Sequence, residues 1–405
     1  MASTQTIAIV GASLAGLRAA ETLRTGGFDG TVTLIGSEPH LPYDRPPLSK
    51  KVLSGEWDVD RIILRKPDAY ADLGLDFRLG QAASGLDLDQ RAVVLADGSS
   101  VRFDGCIIAT GAHCRRLPDQ PSLAGIHELR TLDDSLRLHT ALKAATNVCV
   151  IGAGFIGAEV AATARQMGRP VTIVEAMPVP LLRGLGPQMG PVCASIHNDH
   201  GVDLRLGIGV DGFLGAEHVE GVRLADGSVV TADVVVVGIG AAPTTGWLDD
   251  SGLTLRDGVV CDRHLSTGAA AVYAAGDLTR WPNEFLGEEV RVEHWSNASE
   301  QGAHAAQNLL AELNGSEREA YAALPFFWSD QYDRRIQFLG RAHPDDRTAV
   351  VVGSVDDRSF VATYERDGHL VAVLGMNQPR ATMGFRKLLL AHAPIEEANA
   401  HAAGL

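Results

Sequence analysis

The chain has 405 residues, enough for two to three domains at about 150 residues each. Its 44 glycines are an excess, but with 45% hydrophobic residues and only 18 prolines it is neither a disordered nor a collagen-like chain. Fifty acidic residues against 35 basic ones give a net charge of −15, which argues against sequence-independent binding to nucleic acid or to an anionic membrane, since both reward positive charge.

In chain order, the segment from Met1 to Thr6 carries no basic run, and the apolar stretch Ile7 to Val10 stops at Gly11, so no signal peptide is expected. Thr6 to Val10 reads as a buried strand that enters a glycine turn, Gly11-Ala-Ser-Leu-Ala-Gly16. An alanine-rich helix follows, then a second β-rich run, Thr31 to Ile35. The pattern recurs once. Asn147 to Ile151 leads into Gly152-Ala-Gly-Phe-Ile-Gly157, a helix and Val171 to Val174, so the chain holds two βαβ units, each of the usual ~30 residues. Other apolar strands end in glycine signals: Cys106 to Gly111, Val234 to Gly238 with Gly240 close behind, and Ala271 to Asp277. Beyond about Tyr321 the texture becomes that of short antiparallel strands (Ile336 to Gly340, Thr348 to Gly353, Phe360 to Tyr364, His369 to Leu374), with a helix around Ala381 to His392. The expected fold class is α/β, with two Rossmann-like dinucleotide-binding domains and a C-terminal α+β domain. No apolar run reaches the ~18 to 20 residues of a bilayer span, and the five scattered cysteines show no CxxC spacing, which predicts reduced thiols and a cytoplasmic protein.

A dinucleotide pyrophosphate needs close backbone approach and free N–H groups at a helix N-terminus, where the dipole favours anions. Gly152, Gly154 and Gly157 provide this in full, and Phe155 and Ile156 open the helix. Glu175 follows the next strand at close to the ~20-residue offset at which an acid meets the adenosine ribose. Ala176 and Met177 come next with no arginine, so a 2′-phosphate is repelled and NADH is expected over NADPH. The first loop has Ser13 at its middle glycine position and its acid, Glu38, lies further along, so an ordinary tight turn is the competing reading. Two such loops in one chain predict two dinucleotides, most economically a flavin enzyme fed by a nicotinamide. Gly276-Asp277 fits, either as a carboxylate bonding ligand hydroxyls or as a plain cap for a helix at Leu278.

Together, Gly11 to Gly16, Pro42-Tyr-Asp-Arg-Pro-Pro-Leu-Ser-Lys50, Ala109-Thr110-Gly111, Gly152 to Glu159, Gly276-Asp277 and Phe326-Phe-Trp-Ser-Asp-Gln-Tyr332 resemble the putidaredoxin reductase and dioxygenase ferredoxin reductase group of the glutathione-reductase-like superfamily, over essentially the whole chain. The resemblance implies FAD, NADH as donor and a two-iron two-sulfur ferredoxin as acceptor, serving a haem monooxygenase or aromatic-ring dioxygenase. It implies a discontinuous FAD-binding domain at 1–112 and 247–320, an NAD-binding domain at 113–246 and the C-terminal domain at 321–405. Gly11, Ser13, Leu14, Ala15, Gly16, Glu38, Arg45, Lys50, Ala83, Ala109, Thr110, Gly111, Arg130, Gly276, Asp277 and Trp295 fall at flavin positions; Gly152, Gly154, Phe155, Ile156, Gly157, Glu175 and Gly240 fall at nicotinamide-nucleotide positions.

The resemblance also makes Lys50, Glu159 and Trp328 the residues at the chemistry. A lysine beside the flavin favours its negatively charged reduced ring. Without the family, Lys50 reads as a solvated loop lysine, Glu159 as an acid in the first helical turn, and Trp328 as core packing. An acidic ferredoxin would need a local basic patch on this acidic chain, and the densest basic groups are Arg61, Arg65, Lys66, Arg334, Arg335, Arg386 and Lys387. A monomer or weak dimer is expected. Competing functions are a dithiol oxidoreductase or peroxidase, for which the stretch before Lys50 has no cysteine and Cys106 and Cys114 make a poor pair; an NADH oxidase or rubredoxin reductase; a membrane quinone reductase, for which Pro394 to Leu405 lacks the amphipathic pattern; and a redox-switched binding module. Metal catalysis is not expected: His197, Asp199 and His200 share one helix end without HExxH or CxxC.

Overall fold

A computed structural model describes residues 5–405, the side chain of Arg183 excepted. The segment Met1 to Thr4, on which part of the signal-peptide expectation rests, lies outside the described residues. The chain divides into two compact units: one holds residues up to Asp44, Ile62–His113 and Ala242–Pro325, the other Arg45–Arg61, Cys114–Ala241 and Phe326–Leu405.

In the first unit, five parallel strands lie in the order Val272–Ala274, Gly105–Ile108, Thr6–Val10, Thr31–Gly36 and Leu75–Leu79. Thr6–Val10 is central, and Ile7, Ala8, Ile9 and Val10 are all buried, as expected of a parallel strand covered on both faces. Helices Leu14–Thr25 and Trp295–Leu313 belong to the same unit. A three-stranded antiparallel sheet, Ala83–Asp87, Ala92–Leu95 and Ser100–Arg102, and a mixed one, Val259–Val260, Thr279–Asn283 and Glu288–Arg291, belong to the same unit.

The second unit repeats the plan. Its parallel strands run Asp203–Leu206, Val171–Glu175, Val148–Ile151, Val234–Val237 and Ile126–His127. The C-terminal strands form an antiparallel sheet in the order Phe326–Gln331, Arg334–Gly340, His369–Met376, Ser359–Arg366 and Arg347–Ser354. That sheet shares a core with the helix Leu182–Asp199, where Leu185, Met189 and Ile196 meet Phe338, Phe360 and Leu374. The helix expected around 381–392 is instead two short ones, Pro379–Gly384 and Arg386–Leu390. Gly384 ends the first, and the fully buried Phe385 turns inward against His401. Among the described residues no helix is long and apolar enough to cross a membrane.

Candidate functional site

The first glycine loop is built by a strand that must turn at once into a helix. Gly11 has φ +124°, and a Cβ there would sit 2.0 Å from the Ala109 carbonyl oxygen, so no other residue fits. Ser13 caps the helix in an extended conformation without its hydroxyl bonding the helix, and Leu14, Ala15 and Gly16 are buried in the first turn. The N-terminal N–H groups of that turn have no intrahelical acceptors, which suits an anion. Of the other residues expected at the flavin, Ala109 and Gly276 lie against this loop: a Cβ on Gly11 would meet the Ala109 carbonyl, and one on Gly276 the Ala15 Cβ at 3.3 Å. The Tyr43 hydroxyl donates to Glu38 at 2.5 Å, and the N–H groups of Gly80 and Gln81 donate to the carbonyls of Glu38 and Gly36, which brings Ala83 in just behind. Ala109 is buried, the Thr110 hydroxyl donates to the Thr244 carbonyl, and Gly111 accepts from the Thr244 N–H. The Trp295 indole donates to Asp44 at 2.7 Å. No helix follows Asp277; the strand Thr279–Asn283 does, so the capping alternative falls. The Gly276 N–H donates to Gln301 Oε1 at 2.9 Å, while Gln301 Nε2 is buried with no partner. An orphaned buried amide beside a glycine-lined turn fits a polar ligand that supplies an acceptor.

The second loop has the same construction in its own unit. Gly152 has φ +100°, and an added Cβ would meet the Gly238 carbonyl oxygen at 2.4 Å. Gly154 differs: its φ of −74° suits any residue, and a Cβ would have nothing within 4 Å. Space therefore explains this glycine only if something outside the chain fills it. Glu175 accepts from the Ala153 N–H at 2.7 Å through one oxygen and from the Met177 N–H at 2.8 Å through the other, which ties the acid to the loop. The Phe155 ring turns away to pack on Phe327, 4.5 Å between centroids, whereas Ile156 is 49% exposed at the helix start. Gly157 is buried in the first turn, and Gly240 accepts from the Arg115 N–H. The Arg45 guanidinium donates to the Arg130 carbonyl at 2.5 Å, which brings these two expected residues together.

Lys50 and Glu159 meet. Lys50 follows a short 3₁₀ turn, Pro46–Ser49, pinned by two hydroxyls: Ser135 donates to the Leu48 carbonyl at 2.7 Å and Thr163 to the Ser49 carbonyl at 2.8 Å. The ammonium donates to Glu159 Oε2 at 2.6 Å, with the two side chains 17% and 4% exposed. Neither the solvated-lysine reading nor the first-turn reading survives. Glu159 is the fifth residue of the helix Phe155–Gln166, whose first turn has no acid, and it faces inward. Sequence reasoning missed its other donors. The Ser49 hydroxyl reaches Oε2 at 2.6 Å and the Ser329 hydroxyl reaches Oε1 at 2.7 Å. Trp328, next to Ser329 on an extended strand, points to the opposite face and stacks on Phe326 at 6.0 Å.

All five cysteines are free, and burial pushes Cys106, Cys149 and Cys193 up to about 12 and raises Cys114 and Cys261 as well. None is a thiolate at neutral pH, so none is a ready nucleophile or redox partner. Of the histidine and acid group near residue 200, His197 is buried, Asp199 pairs with Arg358 at 3.0 Å and the His200 ring stacks on Tyr332.

Comparison with known proteins agrees with this architecture. Residues 5–302 match the pyridine nucleotide-disulphide oxidoreductase family and residues 326–403 the reductase C-terminal family. Rhodocoxin reductase of Rhodococcus erythropolis is 38% identical over 391 residues, 96% of this chain and 90% of that protein. Putidaredoxin reductase of Pseudomonas putida is 32% identical over 403 residues, 98% and 94% of the two chains. The crystal structure of the covalent putidaredoxin reductase–putidaredoxin complex superposes with a TM-score of 0.91 at 32% identity, covering 96% of this chain and 94% of that one. The chain therefore belongs to the pyridine nucleotide-disulphide oxidoreductase family, within its ferredoxin reductase group.

Proposed function

We propose that this oxidoreductase passes electrons from NADH through FAD to a two-iron two-sulfur ferredoxin, one at a time, for a haem monooxygenase or an aromatic-ring dioxygenase. The observation that carries the reading is the pair of glycine cradles, one per unit, in a chain whose thiols are all held protonated. Bound FAD supplies the conversion of one two-electron donation into two one-electron deliveries. The chain's residues bind and orient. Gly11 makes the turn, the N–H groups of the first helical turn, from Ser13 to Gly16, are offered to the FAD pyrophosphate, Glu38 serves its ribose, and Asp277 with Gln301 serves its hydroxyl-rich linker. In the second loop Gly152 makes the turn, and Gly154 and Gly157 keep the helix N-terminus open to NADH, with Glu175 at the ribose. Each Glu175 oxygen accepts one backbone bond and keeps a lone pair for a ribose hydroxyl. A 2′-phosphate in that place would face the same carboxylate, which selects NADH over NADPH.

Lys50, held by Glu159, is the cation that serves the flavin ring. The exposed Arg386 and Lys387, with the exposed apolar side chains of Met383 and Leu390, form the basic patch suited to an acidic ferredoxin. Among the other basic candidates, Arg65 is paired with Glu21 and Arg335 is near Asp330, which leaves less charge for a partner. The test is to purify the chain and measure bound FAD and its reduction by NADH and NADPH. One FAD per chain with a strong NADH preference supports the reading. Equal turnover with NADPH would refute the coenzyme assignment.

A further inference from the structure

The strand Phe326–Gln331 carries polar residues where a core strand should be apolar. Ser329 and Gln331 are fully buried on one face, one strand period apart. Burying a hydroxyl and an amide costs free energy unless both are used, and here they are used in series. Gln331 Nε2 donates to Ser329 Oγ at 3.3 Å, and Ser329 Oγ donates to Glu159 Oε1 at 2.7 Å. Since Ser329 accepts from the amide, its single proton is directed at the carboxylate. Gln331 Oε1 and His197 Nε2 are both buried without a hydrogen-bond partner. His197 Nδ1 is 3.1 Å from the Tyr332 hydroxyl. Burial lowers His197 to about 4, so the ring is neutral and has one donor and one acceptor to offer. The Gln331 amide and the Ser329 hydroxyl thus both donate toward Glu159. Lys50 and Ser49 close the arrangement from the other side, and Lys50 is the charged group facing Glu159.

We infer that Ser329 and Gln331 are positioning residues that fix the orientation of Glu159, and through it the Lys50 ammonium, so that the C-terminal sheet governs hydride transfer without touching the reactants. An amide in the row makes it a poor proton conductor; its function is to fix direction. The inference rests on the reading that Lys50 serves bound flavin.

The test compares the flavin-loaded wild type with Ser329→Ala, Ser329→Thr and Gln331→Met. The carboxylate infrared bands of Glu159, identified by difference against Glu159→Gln, report its hydrogen bonding directly, with or without flavin. They should shift in Ser329→Ala, shift less in Gln331→Met and return in Ser329→Thr. Flavin reduction by NADH should slow roughly tenfold in Ser329→Ala, the worth of one hydrogen bond to a charged group, with KM for NADH unchanged and a more negative flavin potential. Should Ser329→Ala fail to fold, Gln331→Met decides: a shift in the same direction supports the inference and wild-type bands and potential overturn it. Unmoved bands and potential in a folded Ser329→Ala likewise overturn it. A wild type that takes up no flavin would overturn the functional reading instead, while the infrared comparison still decides the positioning of Glu159.

Discussion

Gly154 and Gly152 separate a glycine needed by a ligand from a glycine needed by the fold. At Gly154 the backbone is ordinary and an added side chain meets nothing within 4 Å, so Gly154→Val costs only the difference between a glycine and an apolar helix cap, about 0.5–1 kcal/mol. In a unit of this size that lowers Tm by roughly 2–4 °C. At Gly152 a positive φ and a contact of 2.4 Å with the Gly238 carbonyl come together, so Gly152→Ala strains the turn itself, by about 1–3 kcal/mol for the backbone alone. The two variants should part in the opposite sense on NADH. A valine over the cradle blocks two charge-assisted bonds to the pyrophosphate, about 3–6 kcal/mol, which is roughly 100- to 10,000-fold in KM for NADH. Flavin content, set in the other unit, should stay at the wild-type level. The assay is stopped-flow reduction across NADH concentrations, with Tm and flavin content measured on the same samples. A Gly154→Val protein of normal Tm whose KM for NADH lies within about threefold of wild type would refute the assignment of this loop.

Lys50→Met leaves Glu159 buried without its cation, so stability should fall by about 3 kcal/mol along with hydride transfer, whereas Lys50→Met/Glu159→Gln should regain the stability in denaturant titration but not the rate. Arg386→Glu/Lys387→Glu should raise KM for an acidic ferredoxin several-fold and weaken its dependence on ionic strength, with NADH-driven flavin reduction unchanged; equal salt slopes would remove the patch from the docking surface. Folded His197 binds a proton only near pH 4 while the unfolded ring does so near 6.5, so its contribution of about 3 kcal/mol is complete above pH 6.5 and declines as pH falls toward 4. Unfolding free energies from pH 7 to pH 4.5 should therefore drop less steeply in His197→Gln than in wild type.

The parallel sheets and glycine turns were legible because their causes are local. A strand buried on both faces is continuously apolar, as at Ile7 to Val10 and Val148 to Ile151, and a turn with φ of +124° at Gly11 and +100° at Gly152 admits little else. Glu175 stands out by its offset from the loop, and the fold ties it there through the Ala153 and Met177 N–H groups. What stayed hidden depends on partners distant in sequence. Glu159 looked like an acid near a helix start, and only folding brings Ser49 and Ser329 to its two oxygens. In Phe326 to Tyr332 the aromatic Trp328 stands out by type, whereas the link of Ser329 and Gln331 to Glu159 on the other face exists only in the folded chain. Their signal was a buried-strand pattern with polar residues at alternate positions. The break at Gly384 and Phe385 was missed for a similar reason: helical periodicity there hides a phenylalanine required by the core.

Anaerobic titration of the purified protein with NADH, followed by an oxidised two-iron ferredoxin, tests the central claim most directly. Each NADH should bleach one flavin, and the bleached protein should then reduce two ferredoxins while its five cysteines stay unmodified. A colourless protein that takes up no FAD, or a bleached one that leaves every such ferredoxin oxidised, would contradict it.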